Sequence, residues 1–143
     1  MLHIEPYKNE MCARPKFGKW LGCVAMDTAD DWLVCGGGPS LSLWHLRSLT
    51  ATAVFDTPGT CQKCVMFHDD SIISAGSKGV VNHWSVNGER RMEIPCTPTS
   101  VFSLSFNYTS NSYKVLSATG NSSKVDIFTN FGYKAFSFTF SQI

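Results

Sequence analysis

The sequence predicts an all-β chain built from about three repeated four-stranded units, and three observations carry that expectation. The first is a recurring hexapeptide: Leu41-Ser42-Leu43-Trp44-His45-Leu46, Val81-Asn82-His83-Trp84-Ser85-Val86 and Val125-Asp126-Ile127-Phe128-Thr129-Asn130. Each sets apolar or semi-polar residues at its first and third positions ahead of an aromatic at the fourth. The second is a glycine eight residues before each aromatic, at Gly36, Gly76 and Gly120. The third is the period, since the aromatics stand 40 and then 44 residues apart. A self-similar period of this size with four strand-like runs per unit is the pattern of propeller blades.

Taken in order, residues 2–5 read as a short extended run ended by Pro6. In blade phase, residues 1–6 would finish the outer strand of a preceding blade. Residues 7–19 form a polar connection carrying Lys8, Arg14, Lys16 and Lys19 against Glu10 alone. The first complete unit, 20–60, has expected strands at 20–26, 32–35, 41–46 and 52–55. The run Trp32-Leu33-Val34-Cys35 is short and wholly apolar, as in a strand covered on both faces. The second unit, 61–100, repeats the plan at 64–67, 71–75, 80–86 and 91–94. Asn87-Gly88 there supplies a dipeptide suited to the positive φ of a tight hairpin. The third unit, 101–143, has strands at 101–106, 114–118, 124–128 and 133–140, and its longer first turn, 107–113, accounts for the four extra residues of the second interval. Each repeated glycine is expected to allow the positive φ of a sharp return between second and third strands. The repeated aromatics are expected to pack between blades, because both faces of a blade are covered by neighbours.

Composition agrees with this plan and narrows function. Charged residues are 16% and aromatics 13% of the chain, a balance that suits pleated surfaces buried on one or both sides. A net charge of +1 gives no global field for nucleic acid or a membrane surface, so only local patches could serve either. No apolar run approaches the roughly 18–20 residues that span a bilayer, and residues 1–5 have no signal-peptide pattern. The six cysteines read as reduced, buried small hydrophobes. Asn107-Tyr108-Thr109 and Asn121-Ser122-Ser123 match a glycosylation pattern but read as turns. These features point to cytosol or nucleus without choosing between them.

The glycine, the apolar pair and the tryptophan at this spacing resemble the WD-repeat family. The resemblance implies a β-propeller with four antiparallel strands per blade, here a partial one. The repeats diverge from the family pattern: His45, Ser85 and Thr129 stand where Asp usually follows the aromatic, and Phe128 replaces Trp. The stretches 32–48 and 124–136 are further similar to the C-terminal half of the WD-repeat subunit of THO-type assemblies. Those are nuclear complexes that couple transcription and mRNA processing to mRNA export. This closer resemblance implies a scaffold for protein–protein interaction, a nuclear location and other THO complex subunits as partners. It also implies that about half of a propeller lies outside this sequence.

No constellation for chemistry emerges, so no catalytic residue, metal site, cofactor or small-molecule substrate is expected. Cys61-Gln62-Lys63-Cys64 lacks the second Cys/His pair that a zinc site needs. The glycines at 36–38 lack a following Lys-Ser/Thr and open no helix, so they do not form a phosphate-binding loop. His3, His45, His68 and His83 are scattered, and Asp69-Asp70 beside His68 reads as a solvated turn. The basic connection remains. In a propeller it would lie on a rim face, where Lys8, Arg14, Lys16 and Lys19, with Tyr7 and Phe17 interleaved, could meet a phosphate backbone or an acidic partner. The expected function is a non-enzymatic scaffold. Direct RNA binding through residues 8–19 is the alternative, and an enzyme using the central channel a distant third.

Overall fold

A computed structural model describes every residue of the chain except 113, 131, 142 and 143. Tyr113, which closes the expected long turn, therefore lies outside the described residues. Among the described residues twelve strands follow one another: β1 (Leu21–Met26), β2 (Trp32–Gly37), β3 (Ser42–His45), β4 (Thr50–Val54), β5 (Gln62–His68), β6 (Ser71–Gly76), β7 (Val80–Ser85), β8 (Arg90–Pro95), β9 (Val101–Phe106), β10 (Val115–Gly120), β11 (Lys124–Thr129) and β12 (Tyr133–Thr139). They form three four-stranded antiparallel sheets, each paired in chain order. This is the expected all-β architecture of three propeller blades in an open arc. The inner strands stand side by side, β1 against β5 and β5 against β9. Residues 2–5 join no strand, and short 3-10 turns at Pro6–Lys8 and Pro15–Phe17 carry the chain to β1.

The irregularities repeat as faithfully as the strands. Where first and second strands pair, the register slips at Leu21/Cys23, at Gln62/Cys64 and at Thr119/Gly120. Where third and fourth strands pair, it slips just before each aromatic, at Leu43/Trp44, His83/Trp84 and Ile127/Phe128. Such bulges sharpen twist and re-aim the side chain beside them. Here that side chain is the aromatic, and each is buried: Trp44 is 4%, Trp84 1% and Phe128 0% exposed.

Trp84 and Phe128 pack between blades, as expected, each against the blade before it. Trp84 joins Val34, Leu43 and Phe55 between the first and second blades. Phe128 joins Ile73, Val81 and Val101 between the second and third. Trp44 meets no strand of a preceding blade among the described residues. Its cover is the N-terminal segment, which brings Ile4 and Cys12 against Trp44 and Cys35. Beyond that cover Val24 and Met26 on the same sheet remain exposed, and at the other end Phe136 and Phe138 of β12 are exposed too.

The glycines have a reason that differs from the expected one. Gly76 and Gly120 do not have positive φ. Instead a Cβ on Gly76 would collide with the Cys61 carbonyl, and one on Gly120 with the Ser100 carbonyl. Those oxygens sit so close because each accepts a bond from the next backbone N–H, Ser77 to Cys61 at 2.9 Å and Asn121 to Ser100 at 3.1 Å. The first blade repeats the arrangement one residue later than expected. There Gly38 N–H donates to the Trp20 carbonyl at 2.9 Å, and Gly37, not Gly36, lies against that oxygen. In the hairpin after β7, only Gly88 has positive φ (93°), and Asn87 does not.

Candidate functional site

The candidate basic connection divides on inspection into one committed cation and three at the surface. Arg14 is half-buried, and its guanidinium donates to five backbone carbonyls. Nε reaches Gly38 at 2.9 Å, Nη2 reaches Gly37 at 2.9 Å and Pro39 at 3.4 Å, and Nη1 reaches Thr57 at 3.1 Å and Thr60 at 2.8 Å. A planar fork with five donors suits such a cluster, and a lysine could not span it. Arg14 also lies 4.6 Å from the centre of the Phe17 ring. It ties the N-terminal segment to the β2–β3 loop and to the connection between the first two blades.

The three lysines are exposed. Lys8 pairs with Glu5 at 2.8 Å, and that hydrogen bond raises its pKa while lowering that of Glu5. The Tyr7 ring has Lys8 Nζ at 5.6 Å and Lys19 Nζ at 4.9 Å from its centre. Lys16 and Lys19 make no ion pair among the described residues. Tyr7, Arg14, Pro15, Gly18 and Lys19 line one cleft of about 210 Å³. The fold therefore gathers Arg14 and Lys19 around Tyr7, with Arg14 turned toward the protein.

A second feature of the same face escaped the sequence reading. Two residues before each aromatic stands a buried polar residue: Ser42, Asn82 and Asp126. In the third blade Asp126 is 0% exposed and accepts from Thr97 N–H at 2.6 Å, Thr97 Oγ1 at 2.8 Å and Ser137 Oγ at 2.6 Å. Lys134 Nζ stands 4.0 Å away and donates to Thr97 Oγ1 at 2.9 Å. Burial pushes the Asp126 pKa up, but the bonds from Ser137 and Thr97, with the Lys134 charge, outweigh it and hold the carboxyl below its usual value.

Thr57 is the counterpart of Thr97, since Thr57-Pro58 and Thr97-Pro98 occupy equivalent connections. Asn82 is the counterpart of Asp126, and register pairs it with Glu93 as Asp126 is paired with Ser137. Here the network is not closed. Thr57 Oγ1, Gln62 Oε1 and Asn82 Oδ1 are buried without a hydrogen-bond partner. All three residues line one cavity of about 200 Å³. A repeated Thr-Pro and a polar residue two positions before each aromatic were the available signals, and both look like ordinary turn and strand residues in isolation.

Burial disfavours the thiolate form of Cys12, Cys23, Cys35, Cys64 and Cys96. Burial pushes the Cys23 and Cys64 thiols up to about 12 and those of Cys35 and Cys96 up to about 11. Cys61 lies in the connection before β5, while Cys64 Sγ faces the Ala75 carbonyl at 3.5 Å. Among the described residues no group of three His, Cys, Asp or Glu side chains is placed to hold a metal ion.

No protein-family model matches the chain. Similar proteins of known name do exist. THO complex subunit 6 homolog of Mus musculus is 51% identical over 139 residues, which is 96% of this chain. Its curated relatives are THO complex subunit 6 proteins. The likeness extends to THO complex subunit 6 of Drosophila melanogaster, 38% identical over 91% of the chain, and of Arabidopsis thaliana, 31% over 84%. The chain spans about 40% of the length of the mouse relative, 36% of the fly relative and 31% of the plant relative. Similarity to THO complex subunit 6 thus covers all three blades and most of the segment ahead of them.

Proposed function

We propose that this chain is a non-enzymatic scaffold unit of a THO-type assembly in the nucleus, contributing to the coupling of transcription and mRNA processing to mRNA export. The supporting observation is identity of 51% to a THO complex subunit across nearly the whole chain. The blades offer rim loops and polar seams as binding surface, which is how a propeller serves as a platform. The partners on this reading are the other THO complex subunits. The test is recovery of a tagged protein containing this chain from nuclear extract treated with ribonuclease. Retention of THO subunits supports the scaffold reading, and their complete absence overturns it.

A second reading is direct RNA contact through the basic connection. It is favoured by the exposed Lys16 and Lys19, which form no ion pair among the described residues, and by the Tyr7 ring beside Lys19. Arg14 is already occupied by five carbonyls, so fewer charges remain than the sequence suggests. RNA affinity that falls steeply with salt, and falls further when Lys16 and Lys19 are reversed in charge, would support this reading. Affinity indifferent to both would remove it.

A further inference from the structure

An apolar cleft of about 480 Å³ opens between the first two blades, at the end of the strands away from the Arg14 clamp. Trp32 and Leu43 of the first blade form one side, and Phe67 and Val86 of the second form the other. Trp32 and Phe67 are half-buried and Val86 is exposed, so apolar surface meets water here. A second cleft of about 630 Å³ shares Asp27, Phe67 and Asp69 with the first and continues past Met26 and Met66. Methionines of this kind adapt to varied side chains. The joined clefts make a groove longer than one side chain needs, a shape that suits a stretch of polypeptide.

Charge decides what kind of stretch. Both charged side chains on the wall of the first cleft are carboxylates, Asp27 and Asp69. Asp27 Oδ1 accepts from the backbone N–H groups of Asp31 and Trp32 at 3.0 and 2.9 Å. Asp69 is exposed, with Lys114 at 3.8 Å and His68 at 3.4 Å. The β1–β2 and β5–β6 turns together carry Asp27, Asp30, Asp31, Asp69 and Asp70. Their cationic neighbours are Arg47 on Asp31, Arg91 on Asp70 and Lys114 on Asp69. Asp27 and Asp30 make no ion pair among the described residues. Five carboxylates thus face three permanent cations, and a protonated His68 would still leave the rim negative. That field disfavours phosphate and acidic chains and favours cations beside the apolar floor.

We propose that this groove docks an extended segment of a partner protein in which apolar side chains alternate with lysine or arginine. That the segment belongs to a fellow subunit rests on the scaffold reading above. That the groove takes a basic, apolar peptide does not, and the experiment measures only the latter. The full chain is titrated with the capped peptide Lys-Leu-Arg-Leu-Lys-Leu. Two controls replace its leucines by serine or its cations by glutamate. The indole N–H signals of Trp32 and Trp20 are followed by nuclear magnetic resonance. Trp20 is the remote reference, its indole N–H donating to the Phe17 carbonyl at 2.8 Å at the other end of the strands.

A saturable shift of the Trp32 signal, with Trp20 unmoved, is expected for the basic leucine peptide, and binding about tenfold weaker or less for either control. Val86→Lys sets a cation at the mouth of the cleft on an exposed hairpin position, and it should weaken the peptide about tenfold. Asp27→Asn keeps an oxygen for the turn amides while removing the charge, and it should weaken the peptide about threefold. A Trp32 signal that stays still, or that answers equally to either control, would overturn the proposal. So would one that moves when the chain alone is concentrated, which would seat a second copy in the groove. The titration of the unaltered chain decides the matter even if a variant fails to fold.

Discussion

Asp126 accepts two hydrogen bonds from Thr97, one from its backbone N–H at 2.6 Å and one from its hydroxyl at 2.8 Å. These bonds latch the third blade to the connection that precedes it. The latch is anionic, and its pKa is held below the usual value. A depressed folded-state pKa contributes stability above the unfolded value of about 3.9, and that stability is lost as pH falls through the folded value. Asp126→Asn should therefore cost about 1.5–3 kcal/mol at neutral pH. Its urea midpoint should also vary less than that of the parent on acidification below about pH 4. Parallel pH profiles for the two proteins would show that the carboxylate is not the stabilising form.

Arg14 and its basic neighbours should separate cleanly in stability. Arg14→Lys loses the fork over five carbonyls and should cost about 1.5–3 kcal/mol, as for hydrogen bonds to a charged group. Lys16→Glu with Lys19→Glu should change stability by about 0.5 kcal/mol or less per site, as at exposed positions. Chemical unfolding of the three proteins makes the comparison. A shared midpoint would mean that Arg14 is as dispensable as the lysines.

Two glycines test the close-approach argument. Gly76→Ala drives a Cβ into the Cys61 carbonyl, and overpacking of that kind costs roughly 1–3 kcal/mol or more. At Gly59 a Cβ meets nothing, although φ is +68°, so Gly59→Ala should cost only about 1 kcal/mol of backbone strain. Thermal denaturation should rank Gly76→Ala as the less stable. The reverse order would return the explanation to backbone torsion.

Trp84 is the best-buried of the tryptophans, packed edge-on to Phe55 at 5.4 Å with its indole N–H on Ser74 Oγ at 2.9 Å. Trp84→Ala should cost roughly 3–5 kcal/mol. Ser74→Ala should cost about 1–3 kcal/mol, by leaving that N–H unpaired. Trp32 is only half-buried and should lose less on the same truncation. Equal midpoints for the Trp32 and Trp84 variants would contradict the blade register.

How much of this was legible follows from what each feature depends on. The strands could be read because alternation and period are written in the side chains, so Val101–Phe106 matches its expected span. Gly76 and Gly120 were found for the wrong reason, because the carbonyls that crowd them come from connections 15 and 20 residues earlier. Gly37 was passed over for Gly36, since only the observed pairing with Leu21 shows which glycine is equivalent. Arg14 looked like a free rim charge because its acceptors are backbone carbonyls, which have no residue type to recognise. The Thr57–Asn82 seam stayed hidden because each half is unremarkable until the fold brings the two together.

The segment over Trp44 is attached in a different way from the blades. Residues 2–5 join no strand, yet Ile4 and Cys12 pack on Trp44 and Cys35, Arg14 holds the carbonyls of Gly38 and Thr60, and Ser40 N–H donates to the Cys12 carbonyl at 2.8 Å. It is fastened by packing and by loop hydrogen bonds, without a sheet ladder, so it can lift without unzipping a strand. The Ser40 amide is the natural reporter of that motion, because its hydrogen exchange counts each time the cover leaves the tryptophan.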